Sequence, residues 1–193
     1  MPIRARLHVL AAAVLCVLLG GCSLTSGLLP TQPPGATQQL VIRSLERALA
    51  GLYVHRFEGR GVDVAVFAQA GNEAFVNEFV VSWLKAHGVR TVSTNPELRL
   101  KVFATVLGTD RGETLIGLPS FQAPIVNVPF PEIALFKWSR NRGQTELRVF
   151  AFDGKTDDFV DQLPPGVGHS KFDDFTVLLF IGFSSSDLDK RMP

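Results

Sequence analysis

The chain has 193 residues, 19 basic and 18 acidic side chains, four histidines and two cysteines, and 46% of it is apolar. Its length suits one ordinary domain plus a leader. The near-neutral balance lacks the basic excess a nucleic-acid surface requires, and two cysteines are too few for a disulfide framework.

Arg4 and Arg6 precede an apolar run from Leu7 to Leu19, which ends in Gly20-Gly21-Cys22. A positive start, an apolar centre and small residues before a cut are the parts of a secretory signal. A helix that crosses a bilayer needs about 20 apolar residues, and this run is shorter. The segment therefore reads as a signal peptide over residues 1–21, the alternative being an ordinary secretory signal with a coincidental cysteine.

Leu19-Gly20-Gly21-Cys22 resembles the lipobox of bacterial lipoproteins, a likeness confined to about the first 25 residues. The resemblance implies that Cys22 becomes the first mature residue, carrying a diacylglycerol thioether and an amide-linked acyl chain such as palmitate. One chain gives only marginal retention at about 0.8 kcal/mol per buried CH₂, so two or three chains make the anchor stable. Ser23, where an enterobacterial inner-membrane protein carries Asp, implies a periplasm-facing site on the outer membrane, the inner membrane being the other address. Cys16 leaves with the signal and Cys22 is acylated, so the mature chain keeps no thiol for a metal or a nucleophile. Removing Arg4 and Arg6 from the 19 basic residues leaves 17 against 18 acidic, a net charge of −1.

Residues 22–36 form a tether: from Ser23 to Ala36 the chain is rich in Ser, Thr, Gly and Pro and carries no charge. Its Pro-rich part extends about 3 Å per residue, so the domain stays within a few tens of Å of its membrane. Residues 37–183 are the globular domain and 184–193 a polar, frayed tail.

Thr37–Leu52 reads as a helix, with Val41, Leu45, Ala48, Leu49 and Leu52 on one face. Asp63–Gln69 reads as a strand apolar enough for burial on both sides. Asn72 caps a second helix whose stripe is Phe75, Val76, Phe79, Val80, Trp83 and Leu84, closed by Lys85, His87 and Gly88. Val89–Ser93 is a short strand, which makes a right-handed βαβ unit. Leu98–Leu107 alternates as a third strand. Ile133–Trp138 and Thr145–Phe152 flank Arg140-Asn141-Arg142-Gly143, expected to be a hairpin turn, and Phe175–Phe183 is a final apolar strand. The expected fold is a single α/β (α+β) domain: a mixed sheet with a βαβ unit, an extra N-terminal helix and a C-terminal antiparallel hairpin. This order over residues 37–183 is similar to the small envelope domains of the Tol-Pal propeller protein's N terminus and the curli secretion lipoprotein, a likeness of fold and not of function.

Thr114–Phe136 is the unusual stretch, with many apolar residues broken by Pro119, Pro124, Pro129 and Pro131. It is either core that covers the sheet or an arm that docks a partner, a twin subunit or a lipid leaflet through Phe121, Ile125, Val128 and Phe130. Lys137, Arg140 and Arg142 form a candidate basic surface near the turn. Asp153, Asp157, Asp158 and Asp161 lack calcium-loop spacing and read as a turn with a solvated acidic helix start. His55, His87 and His169 have no ligand or triad spacing, and Gly166–Ser170 is neither a phosphate loop nor an esterase elbow. The chain is thus read as a non-enzyme without metal or cofactor: an outer-membrane lipoprotein that serves an envelope complex as accessory or assembly component through protein contacts or self-association. The alternatives are a module binding a small molecule or lipid in a pocket beside Trp83 or Trp138, and, last, a hydrolase using His169 and Asp173.

Overall fold

The computed structural model describes residues 35–68, 73–122 and 129–189. The signal peptide, Cys22, all but the last two residues of the tether, Asn72, Ile125 and Val128 lie outside them. The described residues form a single mixed α/β domain around one curled sheet. In chain order the elements are α1 (Gly35–Ala50), a 3₁₀ turn (Val54–Phe57), β1 (Gly61–Ala68), α2 (Glu73–Ala86), β2 (Arg90–Thr91), β3 (Leu98–Leu118), β4 (Phe121–Gln122), β5 (Pro129–Phe130), β6 (Ile133–Asp153), β7 (Phe159–Gln162), β8 (Gly166–Val177) and β9 (Ile181–Ser186). The sheet order is β2-β1-β3-β6-β8-β9, with β7 beside β6 beyond the start of β8. β1 is parallel to both β2 and β3, and every later pairing is antiparallel. The expected βαβ unit is β1-α2-β2.

Both helices pack against one face of the sheet. Val62 and Val66 of β1, Leu98, Leu100, Val102 and Ala104 of β3, and Leu147, Val149 and Ala151 of β6 point towards Leu45, Leu49 and Leu52 after α1 and Val76, Val80 and Leu84 of α2. The alternation follows from the two-residue period of a strand. Among the described residues no layer covers the other face, so β1 is buried on one side only and Phe67 is left exposed.

α1 meets the sheet along a seam of small residues. A Cβ on Gly143 would fall 2.3 Å from the Leu40 carbonyl oxygen, one on Gly168 1.9 Å from that of Ser44, and one on Gly166 2.3 Å from that of Ala48. The periods match: four helical residues advance about 6 Å and two strand residues about 6.7 Å, so each turn of α1 meets the next inward residue of β8. Two buried hydroxyl bonds fix the register, Ser44 Oγ to Thr145 Oγ1 at 2.7 Å and Ser170 Oγ donating to the Leu40 carbonyl at 2.7 Å.

Three expectations are corrected. Arg140–Gly143 is no turn; β6 runs unbroken from Ile133 to Asp153 and pairs with β3 over nearly its whole length. Gly143 is there for the close approach of α1, not for a positive φ. Phe175–Phe183 is two strands, since Leu178 (φ 50°) and Leu179 (φ 72°) turn the chain. The stretch expected to fray continues β9 to Ser186, then buries Leu188 and ties Asp187 to Arg47 at 2.8 Å. The turn at Asp153 does form: its carboxylate accepts the N–H groups of Lys155 (2.8 Å) and Thr156 (2.9 Å), but the strand β7 follows instead of a helix.

Gly168→Ala should lower stability by about 3 kcal/mol or more, the upper end of overpacking costs, because backbone stands on both sides. Gly108→Ala, with nothing within 4 Å of the added methyl, should be near neutral; urea melts of the two variants decide. The bonds from Thr156 and then Lys155 hold the Asp153 carboxyl below its usual range. Its stabilising effect is therefore present above the unfolded value near 4 and lost as pH falls through the lower folded value. The stability difference between wild type and Asp153→Asn should shrink from pH 7 to pH 3.

Candidate functional site

Beyond the helices, β3, β6, β8 and β9 continue as a four-stranded antiparallel blade. β3 and β6 each run 21 residues, about 70 Å of strand. A bulge at Thr105 between the Ala104 and Val106 pairings switches which residues of β3 face the helices. The described residues of the Thr114–Phe136 stretch are mostly strand, with Pro129 in β5 and Pro119 and Pro131 in the links beside the β4-β5 ribbon, while Pro124 lies outside the described residues.

Two hairpin ends meet at the far end of the blade. The β8-β9 turn docks on the start of β6 through Leu178 N–H to the Leu135 carbonyl and Leu179 N–H to that of Ala134, both 2.9 Å. Ile116, Leu118, Ile133 and Leu135 at the end of the β3-β6 pair thus join Leu178, Leu179, Phe180, Ile181 and Phe183, all exposed, as are Phe121 and Phe130 of the β4-β5 ribbon. Phe180 is 81% exposed. Phe121 and Phe130 stack at 4.9 Å across β4-β5 and are 52% and 46% exposed, so this part of the arm is not core.

The helix-free face of the blade is banded. Nearest the tip, Phe136, Val177 and Ile181 are in register across three strands. In the next row Trp138 stacks on Phe175 at 5.8 Å and Phe175 on Phe183 at 4.9 Å. Then charges begin: the Arg140 guanidinium lies 4.7 Å over the Trp138 ring, and Arg142 makes a two-pronged pair with Asp173 at 2.6 and 3.2 Å. At the helix end of the sheet the same face turns apolar again, where Phe67 stacks on Phe103 at 4.9 Å and Lys101 sits 4.1 Å over Phe152.

The expected basic surface is not a single patch. Lys137 projects to the opposite side from Arg140 and Arg142, between Glu132 at 2.8 Å and Glu113 at 3.2 Å. The hydrogen bond with Glu132, assisted by Glu113 and opposed by burial, raises its pKa. Strand periodicity separates these cations, which a turn would have gathered. Trp83 stacks on His87 at 3.9 Å on α2. A shallow groove of about 210 Å³, lined by Gln39, Ile42, Arg43, Glu46, Leu188 and Asp189, touches neither tryptophan; ligand pockets usually start near 300 Å³. Asp173 is committed to Arg142, and His169 gives its carbonyl to Arg47. Among the described residues no group of three or more His, Cys, Asp or Glu could hold a metal ion. No helix there is long and apolar enough to cross a membrane.

Sequence reasoning missed Leu178, Leu179 and Phe180, because three apolar residues without Gly, Asn or Pro give no turn signal. No protein-family model matches this chain, and no curated protein matches it significantly.

A left-handed φ costs a non-glycine residue about 1–2 kcal/mol, so the apolar turn is held at the fold's expense. The double variant Leu178→Asn, Leu179→Gly should keep the fold and gain about 1 kcal/mol in thermal or urea unfolding. Unfolding at lower denaturant would show that the two leucines pack instead of being merely tolerated.

Proposed function

We propose that the chain is a lipid-anchored lipoprotein of the bacterial envelope, held at the outer membrane by acylated Cys22 and facing the periplasm. There it serves as accessory or assembly component of an envelope complex through protein contacts. The anchor rests on Leu19-Gly20-Gly21-Cys22 after an apolar signal.

The protein-contact reading is carried by one observation, the unpaired edges of the blade. β1 pairs with β3 only as far as Ala104, so residues 106–118 of β3 have β6 as their one strand neighbour. β9 ends the sheet on the other side. Among the described residues both edges therefore present backbone N–H and C=O groups to whatever lies alongside. Long open edges are templates for strand addition, and proteins that do not use them usually shorten, charge or cover them. β9, with the sequence Ile181-Gly182-Phe183-Ser184-Ser185-Ser186, carries no charged residue.

Two measurements test this reading. Mass spectrometry of the mature chain should find acyl groups on Cys22, and Cys22→Ala should release the protein from the membrane fraction. Photo-reactive residues at Ser184 on β9 and Thr109 on β3 should crosslink in cells to an envelope protein or a second copy, while Glu46 on α1 should not. A monomeric full-length protein with no crosslink from either edge would sink the protein-contact reading.

A further inference from the structure

We propose that the β8-β9 turn, Leu178–Phe180, dips into the surface of the same bilayer that holds the acyl anchor, giving the domain a second, shallow lipid contact. The inference rests on the anchor reading above and adds an orientation to it.

The direction of α1 carries the argument furthest. Leu40, Ser44 and Ala48 sit over Ser170, Gly168 and Gly166 in turn, so α1 runs antiparallel to β8. β8 runs towards the tip, hence the N-terminal end of α1 points towards the tip as well. Gly35 lies five residues before Leu40, about 7.5 Å further along the axis, roughly level with Phe172. From there to the turn at Leu178–Phe180 is about 20 Å of strand. Residues 23–34, between the acylated cysteine and α1, span at most about 40 Å when extended. An anchor in the bilayer and a tip at its surface are compatible with room to spare. Pointing the opposite end of the domain at the membrane would require the tether to run back past all of α1, another 24 Å or so, and then further, close to its limit.

The chemistry of the tip fits a lipid surface. At the β8-β9 hairpin the apolar part is two cross-strand rows and a turn deep, about 10 Å, which matches the 5–10 Å to which amphipathic surfaces sink at the headgroup boundary. Trp138 closes the apolar zone with Arg140 stacked over it, and aromatic rings followed by cations mark a membrane–water interface. Behind that row Arg142 is paired with Asp173, and on the opposite face, level with the apolar rows, Lys137 is neutralised between Glu132 and Glu113. The contact is therefore driven by apolar burial and depends little on salt or on anionic lipid.

The test uses the full lipoprotein, purified with its acyl chains and placed in phosphatidylethanolamine–phosphatidylglycerol vesicles. Because the mature chain has no other free thiol, a fluorophore on Phe180→Cys reports the tip alone and one on Tyr53→Cys the exposed surface near the 3₁₀ turn. Lipids carrying a shallow nitroxide should quench the Phe180→Cys label at least about threefold more than the Tyr53→Cys label, at low and high salt alike. In the Leu178→Asn, Leu179→Gly background the tip label should fall towards the control while the protein still floats with vesicles. Equal quenching of the two sites on a floating protein overturns the proposal, as does tip-to-tip crosslinking that shields Phe180→Cys behind a second copy. Flotation and the acyl mass on Cys22 report the anchor separately. An unacylated chain that does not float sinks the anchor reading and this inference together, whereas an acylated, floating chain with an unquenched tip sinks this inference alone.

Discussion

The contact on which the rest of the structure depends is the approach of α1 to the backbone of β6 and β8. Gly143, Gly166 and Gly168 leave the helix carbonyls of Leu40, Ser44 and Ala48 no space for any side chain between the two layers. Such a seam buries little apolar area per residue and gains from dispersion at close range instead, which demands one register. The Ser44–Thr145 and Ser170–Leu40 bonds satisfy the polar groups trapped there and penalise any slip. With α1 locked in that register, Leu45, Leu49 and Leu52 are delivered to the core beside α2. Arg47 is also brought to Asp187, which returns the C-terminal segment to the helix.

A second consequence is that, among the described residues, all helical cover lies on one side and at one end. The open face must be stable in water without a second layer, and its banding shows how. Aromatic ladders such as Phe67–Phe103 and Trp138–Phe175–Phe183 bury ring faces against one another across strands. Between the two ladders the Arg142–Asp173 pair and Arg140 make the middle of the blade polar. Asp173 is nearly buried, so removing Arg142 alone would strand a carboxylate, a larger loss than the pair's own net worth. The charged band separates two apolar regions that would otherwise form one continuous sticky face.

Legibility in the sequence followed the burial pattern. Where a segment buries one regular face, as in α1, α2, β1 and the first half of β3, periodicity located it to within a residue or two. The blade was read poorly because both faces are partly wet and its strands carry Arg, Asp, Lys and Gly freely. Arg140–Gly143 has the composition of a turn, and only the pairing with Thr109–Gly112 and Ser170–Asp173 makes it strand. Gly166-Val167-Gly168 gives no strand signal because glycine in a strand is penalised locally. Its reason is a helix more than 100 residues earlier in the chain. The reverse error occurred at Leu178–Phe180, where a turn is written in strand residues. The arm containing Phe121 and Phe130 was noticed from its apolar content and prolines, but its partner hairpin was not.

The apolar, strained turn and the open strand edges make opposite demands on their surroundings. A lipid interior supplies no hydrogen bonds, so only backbone that is already paired can enter it. At the tip the N–H groups of Leu178 and Leu179 are bonded to Ala134 and Leu135, and their side chains are free to face hydrocarbon. The edges of β3 and β9 are in the opposite condition, with backbone groups that require water or another strand. A blade built this way could sink no deeper than its first apolar rows while alone. Strand addition along its edges would remove that limit, so the proposed lipid contact and the proposed protein contact would be coupled by the same unpaired backbone.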